Sequence, residues 1–266
     1  MLKPLPYNGD VCVLQHVIRR VSRSKTINST VVATTTNRDD DAIVEIAKKE
    51  GAGWFRGSED DVLERYYLCA CENGADIVVR ITSDCPCIDA EIIDQVVNEH
   101  IRGGYDYTSN TLTRSYPRGM DVEVFSFDAL EKAYKKASEP YEREHVTPYI
   151  YAHPEEFRIK EVTAPPELSA PHIRLTVDTE EDYALLCAVF DFLYSRNRFF
   201  GLREILNLFS EKPWLHLINK KVEQKKLLKT LKDEIEEAKR ILKLQGLSRA
   251  EALLERCYER EGGNPD

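Results

Sequence analysis

No stretch of the chain approaches the run of about 20 apolar residues that a bilayer-spanning helix needs. No secretory leader is legible either, because Met1-Leu2-Lys3-Pro4 meets a proline before any apolar core can form. The expectation is a cytoplasmic protein without a membrane span. Positive charge is also short: 37 Lys and Arg face 46 Asp and Glu, a formal net charge of -9. A general nucleic-acid binder needs a basic face, so that class is excluded. A single nucleotide needs only a local positive pocket and is not. The usual zinc spacing is missing as well. The seven cysteines, an odd count, suit reduced thiols. The Cys-x-Cys pairs at 69/71 and 85/87 are not of the Cys-x-x-Cys type that structural zinc uses. At 69/71 a helical pattern also points the two side chains apart.

What is present is the composition of a globular protein, 42% hydrophobic and 31% charged over 266 residues. That length buries a core in one large domain, or one domain plus an appendage. The stretch that organises the rest is Val78-Val79-Arg80-Ile81-Thr82-Ser83-Asp84-Cys85-Pro86. An apolar, β-branched run breaks at Ser-Asp-Cys-Pro, and Ala90-Glu91-Ile92-Ile93 opens a helical pattern: strand, tight loop, helix. Ligand sites of open α/β sheets lie beyond the carboxyl ends of strands, where Asp84 falls. A carboxylate there can hold a hard cation over phosphates, or merely shape a turn.

Before that stretch, Val13 to Val21 carries a helical stripe of Leu14, Val17, Ile18 and Val21, with His16 off the stripe and assigned to the surface. Val31 to Thr36 reads as a buried strand, Ile43, Ile46 and Ala47 as a helix face, and Gly51 to Gly57 as holding a short strand. Ser58 to Tyr67 begins a helix with Ser58 and Asp61 spaced like a capping box. Three alternations of strand and helix indicate a parallel sheet with crossover helices. Beyond Asp94, strands are expected at Tyr105 to Asn110, Asp121 to Phe127, Phe157 to Val162 and His172 to Val177. Helices are expected at Leu130 to Lys136, Tyr141 to the proline at 148, Tyr183 to Tyr194, and Gly201 to Phe209. Tyr116, Phe125 and Phe127 are assigned to the core. From about Val222 the chain turns rich in Lys, Glu and Leu. A stripe of Leu228, Leu231, Ile235, Ala238 and Leu242, a break at Gly246 and a capping box at Ser248 predict a helical hairpin. The domain boundary is drawn at 215/216.

Five stretches in order resemble the spore-coat polysaccharide branch of the acylneuraminate and KDO cytidylyltransferases. They are Phe55 to Tyr66, Arg80 to Asp94, Tyr116-Pro117-Arg118-Gly119-Met120-Asp121 to Phe125, Arg143-Glu144-His145-Val146-Thr147-Pro148-Tyr149, and Arg174-Leu175-Thr176-Val177-Asp178-Thr179-Glu180-Glu181-Asp182. The resemblance implies a three-layer α/β/α nucleotidyltransferase fold of the nucleotide-diphospho-sugar transferase type, here with a C-terminal helical extension. It implies transfer of CMP from CTP to a sugar, typically an acidic one, with release of pyrophosphate. It implies Mg²⁺ as cofactor, CTP and a sugar as ligands, and is compatible with a homodimer. Asp84 and Asp178 match the family's two metal-binding aspartates, and two carboxylates at different strand ends suit Mg²⁺, which fills its shell with phosphate oxygens and water. Asp178 also fits the N-cap of the helix that follows. Arg80 offers a forked donor to phosphate, or a salt bridge at the strand end. Ser58, Asp61, Arg65 and Ser83 fall where the family reads the nucleotide. Asn110, Arg118, Asp121, Glu123, Glu144 and His145 are candidates for the sugar side.

The chain departs from the family at one place. The family opens with a buried strand and a loop rich in Gly, Arg and Lys, whose N–H groups cradle the triphosphate. Met1-Leu2-Lys3-Pro4-Leu5 matches the segment just after that loop. The expectation is therefore a native polypeptide longer than this one; the alternative is a weak or inactive relative. Two further readings stay open: a nucleotide-sugar-binding or assembly subunit that uses the helical tail, and a glycosyltransferase of related fold. The second usually shows Asp-x-Asp at a strand end, and Asp84-Cys85-Pro86 lacks the second aspartate.

Overall fold

A computed structural model of the chain describes residues 1–222 and 231–260. Two compact units divide between Val222 and Glu223. The expected boundary at 215/216 would cut a short 3-10 turn, Pro213–Leu217, whose Leu215 is fully buried in the main core. Among the described residues, no helix is long and apolar enough to cross a membrane.

The first unit opens with α1 (Val13–Val21), β1 (Val31–Thr35), α2 (Asp41–Lys49), β2 (Gly53–Gly57), α3 (Val62–Glu72), β3 (Ile77–Arg80) and α4 (Ala90–Gly103). It continues with β4 (Tyr107–Ser109), β5 (Glu123–Ser126), α5 (Phe127–Lys136), α6 (Pro140–His145), α7 (Pro148–Ala152) and β6 (Ile159–Glu161). It ends with α8 (Glu180–Leu193) and α9 (Leu202–Glu211). The predicted βα alternation is present, but the strands form two sheets. β1 and β2 pair in parallel, from Val31 opposite Gly53 to Thr35 opposite Gly57. The other sheet runs β3-β5-β4-β6, with β5 antiparallel to both neighbours and β4 parallel to β6.

Strand periodicity feeds two cores. Val79 and Val124, opposite each other in the register, face the core built with α1, α4, α8 and α9. Their neighbours Val78 and Phe125 face the core under α3, α5 and α7. Helices thus cover both faces of a sheet, the three-layer α/β/α arrangement. Tyr116 and Phe125 are fully buried, and Phe127 packs on the second core.

Five local expectations give way. His16 is buried, not superficial: its ring sits edge-on to Phe190 and Tyr194, and Nε2 donates to the Leu5 carbonyl at 2.7 Å. The apolar stripe marks the face toward the sheet, but α1 is also covered on its flank by α8. The segment His172 to Val177 forms a single bridge, Arg118 to Arg174, in place of a strand. Ser58 does not start α3. Asp61 is its N-cap, accepting from Glu64 N at 2.8 Å, while Ser58 Oγ accepts from Asp61 N. Asp178 does not cap α8: Thr179 does, in a reciprocal box with Asp182. The strand expected to be buried at Val31 is only half-buried over most of its length.

In the second unit α10 (Leu231–Leu244) and α11 (Ser248–Arg260) pack as a hairpin, with Gly246 left-handed at φ 70° between them. Lys239 pairs with Glu255 across it at 3.0 Å. Of the expected stripe, Ile235, Ala238 and Leu242 are half-buried and Leu231 is exposed; Leu228 lies outside the described residues.

Burial lowers the pKa of His16 to about 4. The native state therefore holds the ring neutral, and its contribution to stability is complete above about pH 6.5, the unfolded value. Between there and pH 4 it is progressively lost, by up to about 3 kcal/mol. Urea unfolding at pH 7 and pH 5 is expected to show a loss about 2 kcal/mol larger for the wild type than for His16→Gln. Equal losses would show that His16 is not the buried titrating group.

Candidate active site

The chain leaves β3 into a tight loop whose apolar members are pinned. Cys85, Cys87 and Ile88 are buried in the main core, which leaves Asp84 at the loop's open side. Asp84 is tied to a distant segment twice. Its carbonyl accepts from Val177 N at 3.0 Å, and its Oδ2 accepts from Thr176 Oγ1 at 2.6 Å. The Cys85 thiol donates to Asp84 Oδ1 at 3.4 Å. Burial, reinforced by Asp84, pushes that thiol's pKa well up, so it stays a neutral donor and not a nucleophile.

The partner segment alternates. Ile173 and Leu175 enter the core, while Arg174, Thr176 and Asp178 take the other side. Arg174 Nε donates to both carboxylate oxygens of Asp182, at 2.9 and 3.0 Å, and its Nη2 pairs with Asp178. Asp182 is completely buried. Besides Arg174 it accepts from Asn219 Nδ2 at 2.9 Å and from the N–H groups of Thr179 and Asp178 at 3.2 and 3.3 Å. Burial opposes the charge of Arg174, but the Asp182 hydrogen bonds outweigh it and raise its pKa. Asp178 itself is exposed. Asp84 and Asp178 are thereby brought together, one residue beyond the Val177–Asp84 bond.

A second loop closes on the same segment. Arg118 N donates to Ile173 O at 3.0 Å, and Leu175 N donates to Arg118 O at 2.7 Å. Gly119 follows with φ +97°, and a Cβ there would stand 2.6 Å from Leu175 O, so the approach requires glycine. Burial, then its neighbour Arg114, lowers the pKa of Arg118, whose charged surroundings also include Asp121, Arg174 and Asp178. Asp121 is paired with Arg114. Asn110 is fully buried: it donates to Met120 O at 2.7 Å and accepts from Val122 N at 2.9 Å. Its amide shapes the loop.

Most of the remaining candidates fall into two other clusters. Arg65 Nη1 donates to Ser58 O, and Asp61 pairs with Arg143. Arg80 pairs with Glu123, whose other oxygen accepts from Tyr107 at 2.7 Å and Thr147 at 2.6 Å. Burial works against the charge of Arg80, but Glu123 prevails and raises its pKa. Glu123 is thus a buried hub. Ser83 is half-buried beside Asp84, Glu144 is exposed and His145 half-buried at the end of α6. Among the described residues, no group of three or more His, Cys, Asp or Glu gathers around one point.

Sequence reading assigned no role to Thr176 and Asp182. The alternation from Ile173 to Asp178 carried the signal for Thr176. Asp182 was hidden because an acid in the first turn of a helix is ordinary. Its burial makes it sensitive: Asp182→Asn is expected to lower stability in urea by about 3 kcal/mol, since Arg174 loses its buried partner. An unchanged midpoint and slope would remove Asp182 from this role.

The cytidylyltransferase family matches residues 1–231. An uncharacterised protein of Methanocaldococcus jannaschii is 40% identical over 220 residues, 82% of this chain and 87% of that protein. The spore coat polysaccharide biosynthesis protein SpsF of Bacillus subtilis is 33% identical over 192 residues, 71% of this chain and 79% of that protein. The structure of a cytidylyltransferase from Leptospira borgpetersenii superposes with a TM-score of 0.74 at 35% identity, covering 80% of this chain and 87% of the other. The match runs through both aspartate loops and the sheet that carries them, and this chain belongs to the cytidylyltransferase family of nucleotidyltransferases.

Proposed function

We propose that the protein transfers CMP from CTP to an acidic sugar, with Mg²⁺ held by Asp84 and Asp178, in the assembly of a surface polysaccharide. The observation that carries this reading is the main-chain bond from Val177 N to Asp84 O, which brings the Asp84 loop against the segment that leads into Asp178. Their hard oxygen donors fit Mg²⁺, which takes one or two carboxylates and completes its shell with phosphate oxygens and water. When bound, the ion supplies charge neutralisation at the α-phosphate and favours deprotonation of the attacking hydroxyl. The sugar oxygen attacks the α-phosphorus, the bond to the β-phosphate oxygen breaks, and pyrophosphate leaves. The protein's own part is positioning. Thr176 orients Asp84, and Arg174 orients Asp178. Arg118, whose charged surroundings include Asp121 and Asp178, is the group we assign to the sugar carboxylate. The polysaccharide context is supported by the naming of the Bacillus subtilis relative.

A second reading, a sugar-nucleotide-binding subunit without catalysis, draws on one observation: Arg80 is spent on Glu123. The two readings separate in a single assay. Purified protein with CTP, Mg²⁺ and a panel of sugar acids is expected to release pyrophosphate, and neutral sugars are not expected to support release. Binding of the nucleotide-sugar without any release would favour the second reading.

Asp84→Asn and Asp178→Asn are each expected to cut kcat at least about a hundredfold, about 2.7 kcal/mol of barrier. The Asp84→Asn fold should lose no more than about 1 kcal/mol, the worth of the Thr176 bond. Arg118→Ala is expected to raise KM for the sugar acid about tenfold or more with little change in kcat. A fall in kcat at unchanged KM would place Arg118 on the reacting phosphate instead.

A further inference from the structure

The helical hairpin lies beyond the stretch shared with the cytidylyltransferase family, which ends at residue 231, the first residue of α10. It is a single layer of two helices, 14 and 13 residues long. A folded unit needs a second layer to cover its apolar side. Among the described residues of the hairpin, no side chain is buried. Leu231, Ile241 and Leu253 are 63, 46 and 57% exposed. On α10, Leu231, Ala238 and Ile241 share one side by helical spacing, and on α11 Ala250, Leu253 and Cys257 do the same. The Lys239–Glu255 pair that bridges the helices projects from other sides of both. The hairpin is also below the size, about 40 residues, at which a chain usually folds without a disulfide, a metal or association. Residues 223–266 contain one cysteine and no histidine, which leaves association.

Charge selects the partner. Residues 223–266 hold ten Lys and Arg and ten Asp and Glu, so the net charge of -9 belongs entirely to residues 1–222. Copies of this chain repel each other through that part and not through the hairpin. Within α10 the charge is polarised. Asp233, Glu234, Glu236 and Glu237 occupy the first half with Lys232, while Lys239, Arg240 and Lys243 occupy the second with no acid. That order suits the helix's own dipole. It also makes α10 complementary to itself when reversed. An antiparallel second copy sets each acidic half against a basic half, whereas a parallel one sets like against like. A twofold axis perpendicular to the helices produces the antiparallel match at both halves at once.

We propose that the hairpin is a self-association element: two copies of the chain join through it as an antiparallel four-helix bundle, with Leu231, Ile241 and Leu253 in the shared core. Four helices make the two layers that one hairpin lacks, with the packing of ordinary bundles. The contact is isologous, so it closes at two copies and does not propagate. A protein of other sequence would cover the apolar stripes, but the reversed charge order of α10 is matched by α10 itself.

The test is sedimentation velocity on the full chain from about 1 to 100 μM, which brackets a micromolar dissociation constant. The expected result is a concentration-dependent dimer. Ile241→Glu combined with Leu253→Glu changes only exposed side chains and is expected to weaken the dimer at least about tenfold. Two further variants reverse the charge order: Asp233→Lys with Glu234→Lys, and Arg240→Glu with Lys243→Glu. Each alone is expected to be monomeric, and an equimolar mixture of the two is expected to dimerise again, which unfolded hairpins would not do. A monomer at every concentration would overturn the proposal. So would a dimer that all three variants leave unchanged, since its interface would then lie in residues 1–222. A mixture that stays monomeric would overturn it as well. The readout is mass, so it is independent of whether the protein turns over CTP.

Discussion

The buried carboxylate of Asp182 is the constraint on which the candidate site depends. A carboxylate with no exposure at all is tolerable only when its lone pairs are filled, and here Arg174, Asn219 and two backbone N–H groups fill them. Satisfying that one group fixes the direction of Arg174, the turn at Asp178 and Thr179, and the first turn of α8. With Arg174 held, Asp178 is held too. Thr176, two residues back, then meets Asp84. The meeting of the Asp84 loop with the segment before Asp178 is thus a consequence of how one buried charge is neutralised.

The split sheet is the other organising fact. Strand-to-strand pairing is the means by which an α/β layer satisfies its interior backbone. Here that pairing stops between β1 and β3, and the helices on both sides keep their places across the gap. α1 and α4 belong to the larger core, and α3 to the other. Helix packing therefore holds the outline of a continuous layer even where the hydrogen-bond ladder is interrupted. The proximity of this gap to Arg80 and Ser83 places it next to the loop that carries Asp84.

Much of this was legible in the sequence because it follows from short-range periodicity. The β3 run, the break at Ser83-Asp84-Cys85-Pro86 and the start of α4 are local signals, and each lies where the pattern put it. The family resemblance also holds, since the family match over residues 1–231 takes in all five segments. What local pattern could not supply was the set of long-range partners. His16 looked superficial because its helix stripe pointed elsewhere, and only the packing of α8 buries it. Asn110 and Glu123 looked like groups available to a ligand, but their partners are at Met120, Val122, Arg80, Tyr107 and Thr147. The cap that Asp178 could also have supplied to α8 comes from Thr179.

The central claim is that Asp84 and Asp178 act as one unit on one cation. A double-mutant cycle addresses it most directly: affinity for Mn²⁺ in the presence of CTP, measured by electron paramagnetic resonance for the wild type, Asp84→Asn, Asp178→Asn and the double variant. Groups that share a ligand are non-additive. The expected result is that either single substitution removes nearly as much affinity as both together. Losses that simply add would contradict the claim, because they would mean that the two carboxylates bind independently.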